Sequence, residues 1–204
     1  MLDSNQWFYF LRCGIPSHTC EEIIRYGKSL NPNESQTGSS DFCLDDDEKS
    51  NHKKEIRNSK TSWINQPWIY NLLNPICNYA NNNSWRFNVS SSEHVQFTEY
   101  KPGGHYNWHH DIVINPHSFT EKLYRKLSLI VQLSDPKEYE GGDFQFNMRG
   151  LDGVEKDTQI ATPPDFKKQG SVLVFPSFLW HKVNSITKGT RYSLVMWTLG
   201  EQFR

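Results

Sequence analysis

The sequence predicts a mainly β domain flanked by helices on its N-terminal side. From residue 85 onward, short apolar runs are separated by Gly, Pro, Asn and Asp, which is typical of an antiparallel sandwich or barrel. Before residue 85, the clearest periodicities are helical. A length of 204 residues with 14% aromatic side chains allows one domain with a sizeable core.

The N-terminal part begins with a predicted strand and a predicted helix. Residues 6–11 are rich in aromatic side chains, which favours a strand. A helix is predicted over residues 17–30, with Ser17 as its N-cap. The apolar stripe of this helix consists of Ile23, Ile24 and Leu30.

Residues 31–55 are predicted to form a long mobile loop. They contain many Asn and Ser residues and an acidic run at residues 45–48, with few large apolar groups. Two interpretations remain open, a disordered connection and a lid over a bound substrate, because long loops are often functional.

The strongest helical pattern covers residues 67–80, a helix that we expect to pack on the outside of a sheet. Pro75 inside the pattern predicts a kink or a break. The residues that recur at helical spacing are Trp68, Leu72, Ile76 and Tyr79.

Six strands are predicted in the second part of the chain. They cover residues 94–100, 126–133, 143–146, 171–175, 180–183 and 192–198. We therefore predict a single domain over residues 1–204, in which residues 1–84 supply a strand, helices and the loop, and residues 85–200 form the β core.

Composition argues against several classes of partner. A formal net charge of −1 gives no overall excess of positive charge, which argues against a nucleic-acid partner but leaves a local basic patch open. The sequence contains no apolar run of about 18 residues, so no membrane span is predicted. The N-terminus lacks the pattern of a signal peptide, and the four cysteines form no C-x-x-C pair. We expect a cytoplasmic protein with reduced thiols.

The residues His109, His110 and Asp111, with the distant His181, predict a metal site. Side chains alternate along an extended chain, so His109 and Asp111 point to one side and His110 to the other. Two histidines and one carboxylate form the typical ligand set of non-haem Fe(II) with open coordination positions. The alternatives are unrelated core histidines and a site for another metal, such as Zn or Mn in a cupin-like binding protein.

Arg191 follows His181 by ten positions. Its forked guanidinium suits a bidentate pair with a carboxylate, here the far carboxylate of a dicarboxylate co-substrate. Ser193 lies two residues later on the same strand face and is a further candidate contact. The alternative for Arg191 is an ordinary surface position on a strand. Together, the metal ligands and the anion site suggest an oxygenase.

Three motifs in this order resemble the prolyl 4-hydroxylase-type branch of the Fe(II)/2-oxoglutarate dioxygenases, in particular its small phage and bacterial members. They are YKPGGHYNWHHD at residues 100–111, GGDF at residues 141–144 and HKVNSITKGTRYSLVMW at residues 181–197. The resemblance covers residues 63–199 and implies a double-stranded β-helix, or jelly roll.

The resemblance also implies the cofactors and their ligands. It implies Fe(II) bound by His109, Asp111 and His181, with O₂ as the oxidant. It implies 2-oxoglutarate bound by Arg191 and Tyr100, with Ser193 less certain, and ascorbate as a further candidate co-reactant. Since halogenating relatives lack the carboxylate ligand, the presence of Asp111 implies hydroxylation.

By the same resemblance, the expected substrate is a prolyl residue in a peptide or protein, hydroxylated with release of succinate and CO₂. A free amino acid or small metabolite, a nucleobase, and a non-catalytic cupin-like metal-binding module are the alternatives. Trp197 stands where base-repairing relatives carry a second Arg, which argues against the nucleobase. Arg57 and Ser59 resemble an Arg-x-Ser element of prolyl hydroxylases, which faces the substrate or forms an ordinary loop salt bridge.

Overall fold

The computed structural model describes residues 7–35, 54–112, 123–148, 160–163 and 165–202. Its two long helices are α1 (Ser17–Ser29) and α2 (Pro67–Ser84). The strands are β1 (Tyr9–Leu11), β2 (Asn33–Glu34), β3 (Arg57–Asn58), β4 (Lys60–Ile64), β5 (Ser91–Ser92), β6 (Val95–Tyr100), β7 (His105–His109), β8 (Tyr124–Gln132), β9 (Tyr139–Gly141), β10 (Phe144–Asn147), β11 (Ile160–Ala161), β12 (Val172–Pro176), β13 (Trp180–Val183), β14 (Ile186–Gly189) and β15 (Arg191–Gly200). Within these ranges no helix has the length and apolarity that crossing a membrane requires.

The strands form two main antiparallel sheets. The larger sheet has the order β1-β12-β8-β15-β6-β4-β2, with β5 added to β15. The smaller sheet has the order β11-β10-β13-β7-β3, and β9 pairs with β14 as a separate ribbon. Neighbours in these sheets are distant in sequence, so the predicted mainly β jelly roll is confirmed.

An aromatic core joins the two sheets. Phe144 and Phe146 of the smaller sheet lie against Phe175 of the larger sheet, with ring centroids 5.9 and 4.9 Å apart. Ile130 and Leu173 complete this cluster from the larger sheet. Since aromatic side chains bury large apolar areas, this layer contributes much of the free energy that holds the sandwich together.

The helices cover the opposite face of the larger sheet, as expected for α2. Ile23 of α1 and Ile69 and Leu73 of α2 belong to one buried cluster with residues of β6, β8, β12 and β15. Leu30, predicted on the apolar stripe of α1, lies one residue beyond the helix and is exposed. Three other details of the helices differ from the predictions. Pro16 occupies the N-cap of α1 and Ser17 is the first helical residue, without a capping hydrogen bond from a side chain.

The other two differences concern α2. The helix continues through Pro75, so of the two predicted outcomes a break is wrong and a kink stays a prediction. Its buried face lies one position later than the predicted stripe, which leaves Trp68 and Tyr79 exposed. Small residues explain the shift. Cys77 and Ala80 allow the helix to pack closely on the sheet, whereas the predicted stripe was built from large apolar residues. The buried face consists of Ile69, Leu73, Cys77 and Ala80.

Alternation along the central strands separates the apolar core from a polar interior. On β8, Leu127, Leu129 and Val131 point to the helices, so the residues between them point to the smaller sheet. The same alternation holds for β6 and β15. The inward-facing residues of these strands are Gln96, Thr98, Tyr100, Ser128, Ile130, Gln132, Arg191, Ser193, Val195 and Trp197. Half-polar inner faces on buried strands indicate a site inside the sandwich.

The predicted loop over residues 31–55 is only partly within the described residues. Asn33 and Glu34 pair with β4 as strand β2, so the first residues of this segment belong to the larger sheet. Residues 36–53, including the acidic run, lie outside the described residues. The lid therefore stays a prediction.

Candidate active site

His109 and His181 face each other across the smaller sheet. His109 is the last residue of β7, and its register partner on β13 is His181. The two ring centroids are 4.1 Å apart. Because register partners on antiparallel strands carry side chains on the same face, the pairing of β7 with β13 brings the two imidazoles together.

Each histidine is oriented by the backbone carbonyl two residues before it. Nδ1 of His109 lies 2.7 Å from the carbonyl oxygen of Asn107, and Nδ1 of His181 lies 2.8 Å from that of Leu179. Since a carbonyl can only accept, Nδ1 carries the proton in both rings and Nε2 keeps its lone pair. A backbone bond to the second ring nitrogen is how metal-binding histidines are usually oriented.

Asp111, two residues after His109, completes the cluster. Its Oδ1 is 3.8 Å from Nε2 of His109, and its Oδ2 is 3.5 Å from Nε2 of His181. The three possible ligand atoms lie within 4.8 Å of one another, and among the described residues this is the one group of its kind. His110 is not part of this group; it is exposed, packs edge-on against Trp180 and also borders the cavity next to the cluster.

Burial and charge set the protonation states that a metal requires. Burial raises the pKa of Asp111, but the neighbouring His181 and His109 outweigh this effect and hold it at about 2. Burial lowers the pKa of His109 well below its ordinary value, and His181 lowers it further. Burial also lowers the pKa of His181, against the opposing effect of Asp111. One carboxylate and two neutral imidazoles result, which suits a divalent metal.

Aromatic rings hold both imidazoles in place. The ring of Tyr106 lies flat on that of His109, with centroids 3.4 Å apart, and the Arg57 guanidinium lies 4.6 Å from the centroid of the Tyr106 ring. His181 packs against Phe144 and Phe175 at 5.5 and 4.9 Å. Burial raises the pKa of Tyr106 to about 12, so this phenol stays protonated.

The cluster opens into a cavity of about 480 Å³ between the sheets. This volume falls within the range of small-molecule sites, roughly 300–1,000 Å³. Arg191 also lines the cavity, although only 1% of its surface is exposed. Its Nη1 has no hydrogen-bond partner among the described residues. A buried guanidinium without an anion is costly, so the site has the character of an anion-binding pocket.

Tyr100 and Ser193 line the same cavity as Arg191. Tyr100 is the register partner of Arg191 on β6, and the guanidinium carbon lies 5.5 Å from the centroid of its ring. Ser193 follows two positions later on β15 and is 2% exposed. All three residues that the sequence singled out for the co-substrate thus meet at one end of the cavity.

Gly142, the second glycine of the pair before β10, makes room for Ile186 and Arg191. Gly142 has φ +64°, and a Cβ there would lie 2.4 Å from Cδ1 of Ile186 and 3.1 Å from Cδ of Arg191. Gly142 and Arg191 also border a second cavity of about 280 Å³. Only glycine allows both this backbone conformation and this close approach, which gives the GGDF motif a physical role.

The mouth of the main cavity is lined by Trp63 and Trp197, whose ring centroids are 6.2 Å apart. Arg125 stacks at 3.9 Å on Trp197 and forms a two-point ion pair with Glu93, at 2.6 and 2.7 Å. Trp108, a further aromatic residue of the motif, packs under Lys182 instead.

Two serines near the site were not predicted. Ser128 and Ser177 lie behind Asp111, both fully buried. The signal for Ser128 was present in the sequence, because a hydroxyl interrupts the apolar run of β8 on the inward face.

Comparison with known proteins gives the same assignment as the geometry. Residues 95–199 match the model of the 2OG-Fe(II) oxygenase superfamily. A PKHD-type hydroxylase of Hyphomonas neptunium is 31% identical over 108 residues, which is 50% of this chain and 42% of the relative. The PKHD-type hydroxylase PiuC of Pseudomonas aeruginosa is 31% identical over 103 residues, with 50% and 41% covered. The match thus spans less than half the length of these relatives.

Solved structures resemble the whole chain. A Pseudomonas putida prolyl-4-hydroxylase has a TM-score of 0.67 at 16% identity, covering 98% of this chain and 95% of that one. The viral collagen prolyl hydroxylase of Paramecium bursaria Chlorella virus-1, solved with 2-oxoglutarate, has a TM-score of 0.65 at 16% identity, with 99% and 100% covered. At this identity the likeness concerns the fold.

Iron and 2-oxoglutarate are the metal and co-substrate after which the matching family is named. The match covers the strands that carry both histidines, the carboxylate and the buried arginine. The jelly roll, the His–Asp–His cluster and this match lead to one conclusion: the chain belongs to the 2OG-Fe(II) oxygenase superfamily.

Proposed function

We propose that this chain is an Fe(II)- and 2-oxoglutarate-dependent hydroxylase that acts on a prolyl residue of a peptide or protein and releases succinate and CO₂. One observation carries the proposal. Two neutral imidazoles, a carboxylate and a buried guanidinium without an ion-pair partner among the described residues converge on one cavity. A metal and a dicarboxylate satisfy all of these groups at once.

His109, Asp111 and His181 would hold the metal. Both Nε2 lone pairs and the carboxylate lie within reach of one ion, and three protein ligands leave positions open for other ligands. The lowered pKa values of the two histidines favour metal binding at neutral pH, because protons compete weakly for the same lone pairs.

Arg191 would bind the far carboxylate of 2-oxoglutarate through a charge-assisted pair. Tyr100, beside it on β6, would donate its hydroxyl to the same carboxylate, and Ser193 adds a third donor from β15. Arg191, Tyr100 and Ser193 are all almost fully buried, so water competes little for the anion.

Bound iron, together with 2-oxoglutarate and O₂, supplies the oxidising power for inserting oxygen into a C–H bond. The chain supplies orientation and exclusion of water. Phe144 and Phe175 enclose His181, and Tyr106 covers His109. These rings keep bulk water from the ligand side of the site.

The open end of the cavity supports a polymeric substrate. Trp63 is 52% exposed there, and Trp197 lies deeper beside it. Such an aromatic pair suits a compact apolar group such as a proline ring. A solved relative with a TM-score of 0.64, the Trichoplax adhaerens prolyl hydroxylase, was crystallised with a peptide fragment, which supports a peptide as the substrate class.

Arg57 favours a second candidate, a small substrate with a carboxylate, such as a free amino acid. Its guanidinium lines the cavity at 8% exposure and donates to Ser59, but it has no carboxylate partner among the described residues. Arg191 accounts for the co-substrate, so Arg57 offers a second positive charge to the substrate itself.

The test is an assay with Fe(II), ascorbate and 2-oxoglutarate that offers proline-containing peptides and free amino acids. Mass spectrometry follows the gain of one oxygen, and succinate is measured in parallel. Oxygen on a peptidyl proline supports the main proposal, and oxygen on a free amino acid, lost in Arg57→Leu, supports the second. Iron binding without any 2-oxoglutarate turnover would overturn both in favour of a metal-binding module.

A further inference from the structure

We infer that Ser128 is a positioning residue for the metal site, because it fixes the Asp111 carboxylate, and that Ser177 supports it from behind. The inference rests on the proposed role of Asp111 as a metal ligand. It assigns a function to two buried hydroxyls that touch neither the cavity nor either histidine.

The contacts form a short relay. Ser128 Oγ lies 2.7 Å from Asp111 Oδ2 and 3.0 Å from Ser177 Oγ. An ionised carboxylate only accepts, so the one hydroxyl proton of Ser128 points to Asp111. The hydrogen between the two serines must then come from Ser177. Each hydroxyl polarises the next, which strengthens the bond that reaches the carboxylate.

The backbone ties the same residues together. The Asp111 N–H donates to the Ser177 carbonyl at 2.8 Å, and the Ser177 N–H donates to the Lys126 carbonyl at 3.0 Å. Asp111 follows β7 of the smaller sheet, whereas Ser128 belongs to β8 of the larger sheet. The metal ligand is therefore held at its backbone and at its carboxylate by the opposite layer of the sandwich.

This arrangement addresses a specific need of the ligand. The two histidines are oriented by the backbone carbonyls two residues before them. The side chain of Asp111, which lies beyond the end of β7, has no such backbone contact among the described residues. A carboxylate that turned about its side-chain bonds would lose the geometry shared with both Nε2 atoms. The charge-assisted bond from Ser128 holds it in place.

The experiment measures Mn(II) binding by the free-ion EPR signal, without turnover. Loss of a group that orients a metal ligand typically weakens binding by roughly 10–100-fold, and this is expected for Ser128→Ala. Ser177→Ala should show a smaller loss, since Ser128 keeps its bond to Asp111. Ser171→Ala is the matched control, because Ser171 is equally buried but does not contact Asp111.

The melting temperatures of the metal-free variants check the fold. The metal-induced rise in melting temperature should shrink most in Ser128→Ala, less in Ser177→Ala and not in Ser171→Ala. If Ser128→Ala binds Mn(II) as tightly as the wild type, or if Ser171→Ala loses as much affinity, the inference is wrong while the proposed function stands. A wild type that binds no Mn(II) overturns both.

Discussion

His109 and His181 are register partners on β7 and β13, with their rings 4.1 Å apart. Both candidate imidazole ligands therefore form one pair of opposite residues in the smaller sheet. A bound metal would join the two strands in addition to their backbone hydrogen bonds, so the smaller sheet should be most stable when the metal is present.

The first prediction concerns the choice between two adjacent histidines. His109→Ala should reduce metal affinity by at least about 100-fold, because a ligand that the other groups cannot replace is lost. His110→Ala should leave it within about twofold, since His110 is exposed and packs on Trp180. Mn(II) titration of both variants measures this. The reverse result would mean that β7 presents the other face to the metal.

The second prediction concerns the buried charge of Arg191. Arg191→Met should raise the apparent dissociation constant of 2-oxoglutarate roughly 10–150-fold, since hydrogen bonds to charged groups contribute about 1.5–3 kcal/mol. The same variant should melt a few degrees higher without ligand, because it removes an unpaired buried charge. Thermal melts with and without 2-oxoglutarate measure both effects.

A variant that melts lower but keeps its 2-oxoglutarate-induced shift would contradict the anion site. Arg191→Lys serves as the control, because it keeps the charge but loses the fork. We expect intermediate affinity from it.

The third prediction separates backbone strain from displacement of the arginine. Gly142→Ala and Gly103→Ala both place a side chain at positive φ, +64° and +83°, and each should cost about 1 kcal/mol or more of folding stability. Only the Gly142 variant places its Cβ against Arg191, whereas at Gly103 the nearest atom is 3.9 Å away. Isothermal titration with 2-oxoglutarate should show weaker binding for Gly142→Ala alone. Equal affinities would remove the proposed role of the glycine.

The fourth prediction concerns the thiols. Burial raises the pKa of Cys20 to about 11 and that of Cys77 to about 12, and Cys13 is exposed. Since the thiolate is the reactive form, iodoacetamide at pH 8 should modify Cys13 and spare Cys20 and Cys77 in the native protein. Peptide mass spectrometry measures this. Labelling of Cys77 before unfolding would show that α2 opens far more readily than its buried face indicates.

The site was more predictable from the sequence than the elements around it. His109, Asp111 and His181 could be recognised because alternation along a strand and ligand chemistry restrict them together. Whether Arg191 was an anion site or a surface residue depended on burial, which its position alone does not determine. The structure excludes the surface position, since Arg191 is 1% exposed, and the anion site stays a prediction.

Other features depend on contacts that no local pattern contains. The buried face of α2 was misplaced because Cys77 and Ala80, and not the large Trp68 and Tyr79, fit against the sheet. Strand β4 was missed because its pairing with β6 lies more than 30 residues away along the chain.

The two halves of the site belong to different layers. Both histidines extend from the smaller sheet, and Arg191 and Tyr100 extend from the larger one. The distance between the proposed metal site and the proposed anion site therefore depends on the thickness of the aromatic layer between the sheets. A substitution such as Phe146→Leu, which thins that layer and also removes a ring in contact with His181, should therefore weaken the fit to a dicarboxylate of fixed length.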